Sequence, residues 1–249
     1  MKALITGASS GIGKEIALYL NSLGYDLYVV ARNKKKLDKI FNTVKGNITT
    51  IELDLTKEES VYQLYEELKD KNIDILVNNA GFGDAGDFIT TSLDKELEMI
   101  NLNIKAYHIL TKLFLKDFTC KNYGKVLNIS SMAGFMPGPY MATYYATKCY
   151  ITKLSLSIYE ELRQMNSNVK ISIFTPGPVK TKFSNRAKVH FNIKSIDAKK
   201  AARIAIDGMF EDKLVIIPNN MKLNYMLVKV LPIKVLLYIN SMIQERASK

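Results

Sequence analysis

The chain is poor in the residues that build disulfide frameworks and metal sites. It contains no tryptophan, two histidines and two cysteines among 249 residues. Cys120 and Cys149 are too few for a disulfide framework and lack the spacing of zinc ligands. His108 lies in a helical pattern without other ligand residues, so we predict no metal site. We expect a protein of a reducing compartment, the cytoplasm.

The sequence also lacks a long apolar segment at its beginning. The opening residues MKALITG hold an apolar run far too short for a secretion signal or a membrane span. Positive charge, in contrast, is plentiful: 35 lysines and arginines against 24 acidic residues give a formal net charge of +11. The lysines are spread along the chain without a nucleic-acid-binding motif, so we expect no nucleic-acid partner. Attraction of an anionic cofactor or substrate is the milder interpretation of this charge.

Short apolar runs alternate with helical patterns along most of the chain. Runs rich in β-branched and aromatic residues predict strands at 2–6, 26–31, 48–53, 73–77, 125–129 and 169–174. Helices are predicted at 12–22, 34–43, 58–71, 93–119 and 144–165. This alternation predicts an α/β fold, a doubly wound, Rossmann-like parallel sheet with helices on both faces. Because no repeat or linker divides the chain, we predict a single domain over residues 1–249.

A glycine-rich turn follows the first predicted strand. Gly7, Gly11 and Gly13 have the spacing GxxxGxG, which departs from the GxGxxG fingerprint of dinucleotide-binding folds. The position of the turn between strand and helix still lets the backbone approach a pyrophosphate at the helix N-terminus. We therefore predict a nucleotide-binding turn, and a plain tight turn is the alternative.

Arg32 follows the second predicted strand, where an NAD-binding fold usually has an acidic residue for the ribose hydroxyls. Neither Ala31 nor Arg32 is acidic, and Ser9 and Ser10 could add hydroxyl donors. An arginine suits a 2′-phosphate, so we predict NADP(H) rather than NAD(H) as the cofactor. A solvated arginine at a strand end is the alternative.

Several further motifs follow in order. They are TGASSGIG (6–13), LDL with Asp54, NNAG (78–81), LNIKA with Asn103, ISSMAG with Ser131, YYATK with Tyr144 and Lys148, and Pro176-Gly177 with Thr181. From residue 3 to about 183 this series resembles the short-chain dehydrogenase/reductase family. The resemblance implies an oxidoreductase that moves a hydride between a nicotinamide and a carbonyl or alcohol carbon. We expect cofactor contacts from Gly7, Ser9, Ser10, Gly11, Ile12, Gly13, Arg32, Asp54, Leu55, Asn79, Ala80, Gly81, Tyr144, Lys148, Pro176, Gly177, Val179 and Thr181.

The YYATK motif carries the predicted chemistry. Tyr144 and Lys148 stand four residues apart and share one helix face, whereas Tyr145 points elsewhere. A nearby ammonium would lower the pKa of Tyr144 from its ordinary value of about 10, making it a general acid and base. Ser131 would bind the substrate oxygen. By the resemblance, Lys148 binds the nicotinamide ribose and Asn103 holds a water that connects Lys148 to solvent. The alternative for Ser131 is a turn or helix-cap role, and the alternative for Tyr144 is burial for packing.

The segment between Ser131 and Tyr144 should line the substrate pocket. We expect substrate contacts from Ser131, Phe135, Met136, Tyr140, Met141 and Phe183. A lid is predicted at about 182–200, with Phe191 and the cations Lys182, Arg186, Lys188 and Lys194. This mixture favours an apolar carbonyl compound, with or without an acidic group.

An apolar and basic tail over about 222–249 closes the sequence. Pro232 interrupts it, so we predict two short helices, each too short to span a bilayer. They could pack against a sister subunit, cover the substrate cleft or lie on an anionic membrane. Apolar helix faces usually bury within protein, and the resemblance implies dimers or tetramers, so we predict a soluble homodimer or homotetramer. A cofactor-binding regulator without catalysis and a membrane-surface reductase remain the alternative functions.

Overall fold

Seven parallel strands form the central sheet of the computed structural model, which describes residues 1–181, 183, 187 and 195–248. The strands are β1 Lys2–Thr6, β2 Asp26–Ala31, β3 Ile48–Glu52, β4 Ile75–Asn78, β5 Lys125–Ile129, β6 Lys170–Phe174 and β9 Val215–Ile216. Their order in the sheet is β3-β2-β1-β4-β5-β6-β9, with Leu4 of β1 aligned to Tyr28 and Leu76 on its two neighbours. A two-residue ribbon pairs β7 Val179–Lys180 with β8 Ile196–Asp197.

Helices cover both faces of this sheet. They are α1 Gly11–Ser22, α2 Lys34–Phe41, α3 Glu58–Leu68, α4 Leu93–Ile100, α5 Tyr107–Cys120, α6 Ala142–Gln164, α7 Ala198–Phe210, α8 Lys222–Val230 and α9 Ile233–Ser248. Adjacent strand residues point to opposite faces: Leu4 joins a core that contains Phe114 of α5, and Ile5 joins a core that contains Ile16 of α1. The predicted doubly wound, Rossmann-like fold is confirmed.

The structure differs from the predicted elements in several places. A π-helical turn, Asn101–Ala106, interrupts the predicted long helix between α4 and α5. The prediction missed α7, the two-residue strands β7 and β8, and β9, although β9 lies in the apolar run LVII (214–217). The lid residues Lys182, Arg186, Lys188, Phe191 and Lys194 lie outside the described residues.

The order of the strands determines where a ligand can bind. The chain builds β1, β2 and β3 outward and then returns to β4 on the other side of β1. Neighbouring connections therefore diverge at the carboxyl ends of β1 and β4, and a crevice forms there. Among the described residues, no helix combines the length and the apolar character needed to cross a bilayer.

Candidate active site

A cavity of about 1260 Å³ opens at the carboxyl ends of the strands. Its wall runs from the glycine turn, past Tyr144 and Lys148, to the helices of the tail. The predicted cofactor residues on this wall are Gly7, Ser9, Ser10, Gly11, Ile12, Arg32, Asp54, Leu55, Asn79, Ala80, Gly81, Tyr144, Lys148, Pro176, Gly177, Val179 and Thr181. The fold thus brings together, around one space, predicted cofactor residues that are up to 174 positions apart, from Gly7 to Thr181.

The glycine turn is clamped by the segment that follows β4. Gly7 has a φ of +69°, and a Cβ there would lie 2.7 Å from the Cα of Ala80. The Asn79 amide nitrogen donates hydrogen bonds to the backbone oxygens of Thr6 at 2.9 Å and Gly7 at 3.2 Å. Gly13 is the one predicted cofactor residue that does not line the cavity. It lies behind the turn, where a Cβ would come within 2.2 Å of the Asn79 amide, so its role is close packing.

The turn also presents the start of a helix to the cavity. Gly11 and Ile12 begin α1 and line the wall, and the first turn of α1 contains no acidic residue. The unpaired backbone N–H groups of a helix start carry partial positive charge and favour an anion. This part of the cavity therefore fits the pyrophosphate of a dinucleotide.

Two cations line the cavity just beyond the carboxyl end of β2. Arg32 is exposed, lines the wall and forms no ion pair in the described parts of the chain. Lys36, which the sequence analysis did not single out, lines the same wall one turn into α2. Asn33 caps that helix by accepting a hydrogen bond from the Lys36 backbone N–H at 2.9 Å. The lysine run 34–36 just after Arg32 was the signal that could have revealed a second cation.

Ser131, Tyr144 and Lys148 meet at the other end of the crevice. Ser131 follows β5, and its side chain hydrogen-bonds the Tyr144 hydroxyl and accepts from the Ala133 N–H at 3.2 Å. On α6, the Lys148 Nζ lies 5.9 Å from the centre of the Tyr144 ring. This nitrogen donates a hydrogen bond to the Ile129 carbonyl at 2.9 Å. Tyr144 and Lys148 are both buried.

The direction of the Tyr144 pKa corrects the sequence analysis. Burial raises the pKa of Tyr144, and the hydrogen bond with Ser131 offsets only part of this effect. Burial also lowers the pKa of Lys148 to about 8, because the ammonium has lost most of its water. The expectation of a lowered tyrosine pKa was wrong for this state of the site, since desolvation is the dominant effect on the Tyr144 pKa. The Tyr144 hydroxyl therefore holds its proton at neutral pH.

Asn103 is buried in the π-helical turn, and its side chain already has partners. Its amide nitrogen donates to the Phe82 carbonyl at 2.9 Å and to the Thr147 hydroxyl at 3.1 Å. Its amide oxygen accepts from the Phe82 N–H at 3.2 Å. These bonds hold the segment after β4 against α6. The predicted water relay to Lys148 stays a prediction.

Four of the six predicted substrate residues line the cavity: Ser131, Met136, Met141 and Phe183. The Phe183 ring lies 5.3 Å from the Tyr144 ring. Phe135 and Tyr140 are not among the lining residues, so a substrate role is not supported for them. The Phe135 ring packs edge-on against Tyr225 of α8 at 4.9 Å, and Tyr140 has a left-handed φ of 62° in the loop before α6.

The tail supplies the rest of the cavity wall. Its lining residues, which the sequence analysis did not identify, are Asn224, Leu227, Val228, Leu231, Leu236, Ile239, Asn240, Ile243 and Gln244. Two buried amides anchor it: Asn240 donates to the Pro137 carbonyl at 2.7 Å, and Gln244 donates to the Tyr145 hydroxyl at 2.5 Å. Their four-residue spacing within the mainly apolar stretch 235–244 was the available signal.

Comparison with known proteins decides the family. The family model described as short chain dehydrogenase matches residues 1–190. The chain belongs to this family. Its members are oxidoreductases that act on alcohol and carbonyl groups.

Individual relatives cover most of this short-chain dehydrogenase. A probable NADP-dependent dehydrogenase of Haemophilus influenzae is 30% identical over 217 residues, 82% of this chain and 85% of that protein. A 3-oxoacyl-(acyl-carrier-protein) reductase of Rickettsia prowazekii is 33% identical over 186 residues, 74% of this chain and 75% of that protein. Among solved structures, a short-chain dehydrogenase from Sphingobium yanoikuyae in complex with NADPH is 29% identical, with a TM-score of 0.82. That match covers 90% of this chain and 91% of the other.

Proposed function

We propose that this short-chain dehydrogenase is an NADP(H)-dependent oxidoreductase that interconverts a carbonyl and an alcohol, with Tyr144 as the general acid and base. The meeting of Ser131, Tyr144 and Lys148 in the cavity that also holds the glycine turn carries this proposal. A regulator that only binds the cofactor could use Lys148 for the ribose, but it would not need Ser131 and the buried Tyr144 hydroxyl at the same point, because burying a phenol costs free energy.

The roles of the three residues follow from their contacts. The protonated Tyr144 hydroxyl donates its proton to the oxygen of a carbonyl substrate, and Ser131 donates a hydrogen bond to the same oxygen. Lys148, fixed by the Ile129 carbonyl, places a positive charge near the Tyr144 ring and steadies the phenolate that forms. When bound, the nicotinamide supplies or accepts the hydride. We assign Lys148 to its ribose and Asn103 to the water that returns a proton to Lys148.

The choice of NADP(H) rests on the charges at the adenosine end. Arg32 and Lys36 both line the wall where the second strand ends. A 2′-phosphate there would gain charge-assisted contacts that a ribose hydroxyl cannot make. The NADP-dependent relative and the NADPH complex support the same choice.

The substrate end favours an apolar carbonyl compound. Met136, Met141, Phe183 and the apolar tail residues surround the space next to Tyr144. We also propose that the predicted cationic lid contributes to substrate binding. The proposal further includes a single domain, a homodimer or homotetramer and a cytoplasmic location.

The two adjacent tyrosines provide the decisive test. Turnover of a panel of aldehydes and ketones is followed by the absorbance of NADPH, first with the unmodified protein. Tyr144→Phe should lower kcat by about 10²–10⁴-fold while cofactor affinity changes little, because only the proton donor is removed. Tyr145→Phe is the matched control, since the Tyr145 hydroxyl is occupied by Gln244, and it should keep most of kcat. Loss of turnover in the control together with full activity of Tyr144→Phe would show that the proposal had chosen the wrong tyrosine as the proton donor.

A further inference from the structure

The outer sides of α8 and α9 form an exposed apolar surface, which we call the cap face. In the part of the chain that is described, 21 large apolar side chains are exposed, and eleven of them fall between residues 223 and 243. The cap face consists of Leu223, Met226, Leu227, Val230, Ile233, Val235, Leu237, Tyr238, Ile239, Met242 and Ile243. Scattered apolar residues on a surface are ordinary, whereas such a concentration on two consecutive helices marks an interaction site.

Helical geometry separates the cap face from the wall of the cavity. On α8, the exposed residues Leu223, Met226, Leu227 and Val230 follow the spacing of one helical stripe. On α9, the buried residues Leu236, Asn240 and Gln244 form the opposite stripe and close the cavity. Apart from Leu227, Ile239 and Ile243 at the edge, the tail therefore uses one side for the cavity and leaves the other side to solvent.

Positive charge borders the cap face. Lys222, Lys229 and Lys234 are all exposed, and no acidic residue occurs from position 214 to position 244. The Lys229 ammonium lies 4.4 Å from the centre of the Tyr225 ring, which holds the charge close to α8. Apolar side chains bordered by lysines are the pattern of a helix that lies in the interface of an anionic membrane.

The same charges disfavour a second copy of the chain as the occupant. A two-fold dimer brings the same patch of both copies together. Six lysines would then border one apolar contact with no carboxylate from residues 214–244 to neutralise them. An anionic bilayer matches both the apolar residues and the lysines.

The cavity opens at the edge of the cap face. Leu227, Ile239 and Ile243 line the cavity and are also more than one-third exposed, at 43%, 40% and 37%. These three side chains belong to both surfaces, so the apolar mouth of the cavity and the cap face are continuous.

We propose that the cap face docks this protein onto the surface of an anionic lipid bilayer, with the mouth of the substrate cavity against the lipid. An apolar substrate dissolved in the bilayer would then reach Tyr144 without crossing water, a consequence that rests on the proposed function. The docking itself needs neither cofactor nor substrate.

Flotation with lipid vesicles tests the docking directly. The full chain is mixed with vesicles of phosphatidylcholine alone or of phosphatidylcholine with phosphatidylglycerol. The protein should float with the mixed vesicles and much less with the neutral ones. The double variant Lys229→Gln/Lys234→Gln should bind the mixed vesicles roughly 25-fold more weakly, because each lysine near an anionic surface contributes about fivefold.

The matched control removes the same charge elsewhere. Lys45 and Lys71 are exposed and precede β3 and β4, at the amino ends of the strands and away from the cavity. Lys45→Gln/Lys71→Gln should bind the mixed vesicles as the unmodified protein does. Thermal unfolding of each variant shows that the fold is kept.

Three results would overturn the proposal. One is an unmodified protein that does not float with the anionic vesicles. Another is an equal loss of vesicle binding in the two double variants, Lys229→Gln/Lys234→Gln and Lys45→Gln/Lys71→Gln. The third comes from Leu223→Ser/Tyr238→Ser: if light scattering shows that this variant converts an oligomer into monomers, the cap face is an interface between copies. Since none of these measurements uses turnover, a failure of the proposed oxidoreductase activity leaves their outcome unchanged.

Discussion

Replacing Lys148 by methionine should have two effects that can be measured separately: a change in the pH dependence of stability and a loss of turnover. Lys148 is 5% exposed, and burial lowers its pKa from 10.5 to about 8. The folded state therefore binds this proton less tightly than the unfolded state. At neutral pH, holding the ammonium in the interior costs about 3 kcal/mol, since every tenfold loss of proton affinity corresponds to about 1.4 kcal/mol.

The cost changes with pH in a defined window. Below pH 8 both states keep the proton, and the difference in unfolding free energy between the unmodified protein and Lys148→Met stays constant. Between pH 8 and pH 10.5 the folded protein releases the proton while the unfolded chain keeps it. The unmodified protein should gain about 3 kcal/mol over the variant across this window. Methionine also leaves the Ile129 carbonyl without its donor, at a cost of about 1–3 kcal/mol that does not depend on pH.

Urea unfolding at pH 7, 8.5 and 10 measures this difference. Lys148→Met should lose turnover at every pH, since no ammonium then faces Tyr144. Lys153→Met, an exposed lysine on the same helix, is the matched control, and its difference from the unmodified protein should not change with pH. A difference for Lys148→Met that also stays flat from pH 7 to pH 10 would refute the reasoning, because it would show that the buried ammonium costs nothing.

Two further substitutions test the cofactor half of the cavity. Arg32→Asp should weaken NADPH binding about tenfold to a hundredfold and NADH binding much less, because a charge-assisted phosphate contact is lost. Fluorescence titration measures the affinity for both cofactors. Lys35→Asp is the control, because Lys35 does not line the cavity. Equal dissociation constants of the unmodified protein for the two cofactors would contradict the assignment of Arg32. Gly13→Ala should lower the unfolding free energy by roughly 1–2 kcal/mol, because the Cβ within 2.2 Å of the Asn79 amide costs more than the roughly 1 kcal/mol that alanine adds to a helix. A more stable variant in urea unfolding would show that the packing behind the turn is loose.

The parts of the fold that were predictable have local causes. The consecutive apolar residues of β1, among them Leu4 and Ile5, and the apolar runs of β2 and β6 identify buried strands because both faces of the sheet are covered. Val215 and Ile216 lie in a similar apolar run, LVII (214–217), which the sequence analysis missed, and they pair with the edge of β6. The π-helical turn was beyond prediction, since one extra residue in a helical turn hardly changes an apolar period.

The two halves of the site also differ in how far they could be predicted from the sequence. The cofactor half consists of short motifs whose spacing is set within one turn or one helix, as with Tyr144 and Lys148, and these could be predicted. The substrate half depends on contacts between distant positions: Gln244 meets Tyr145 across 99 residues, and Asn240 meets Pro137 across 103. No local period encodes such a pairing. Phe135 shows the consequence, because it was expected to face the substrate and instead packs against Tyr225 of the tail.

The tail therefore contributes both to the wall of the cavity and to the proposed membrane-binding surface. Through Gln244 it holds the tyrosine next to the proposed acid, and through Leu227, Ile239 and Ile243 it forms the mouth of the cavity. A change on the inner side of α9 should alter which substrates fit, whereas a change on the cap face should alter where the protein resides. Because the two sides belong to the same helices, a bilayer that orders the cap face would also order the substrate wall. Substrate selectivity and membrane binding should consequently respond together to whatever displaces α9.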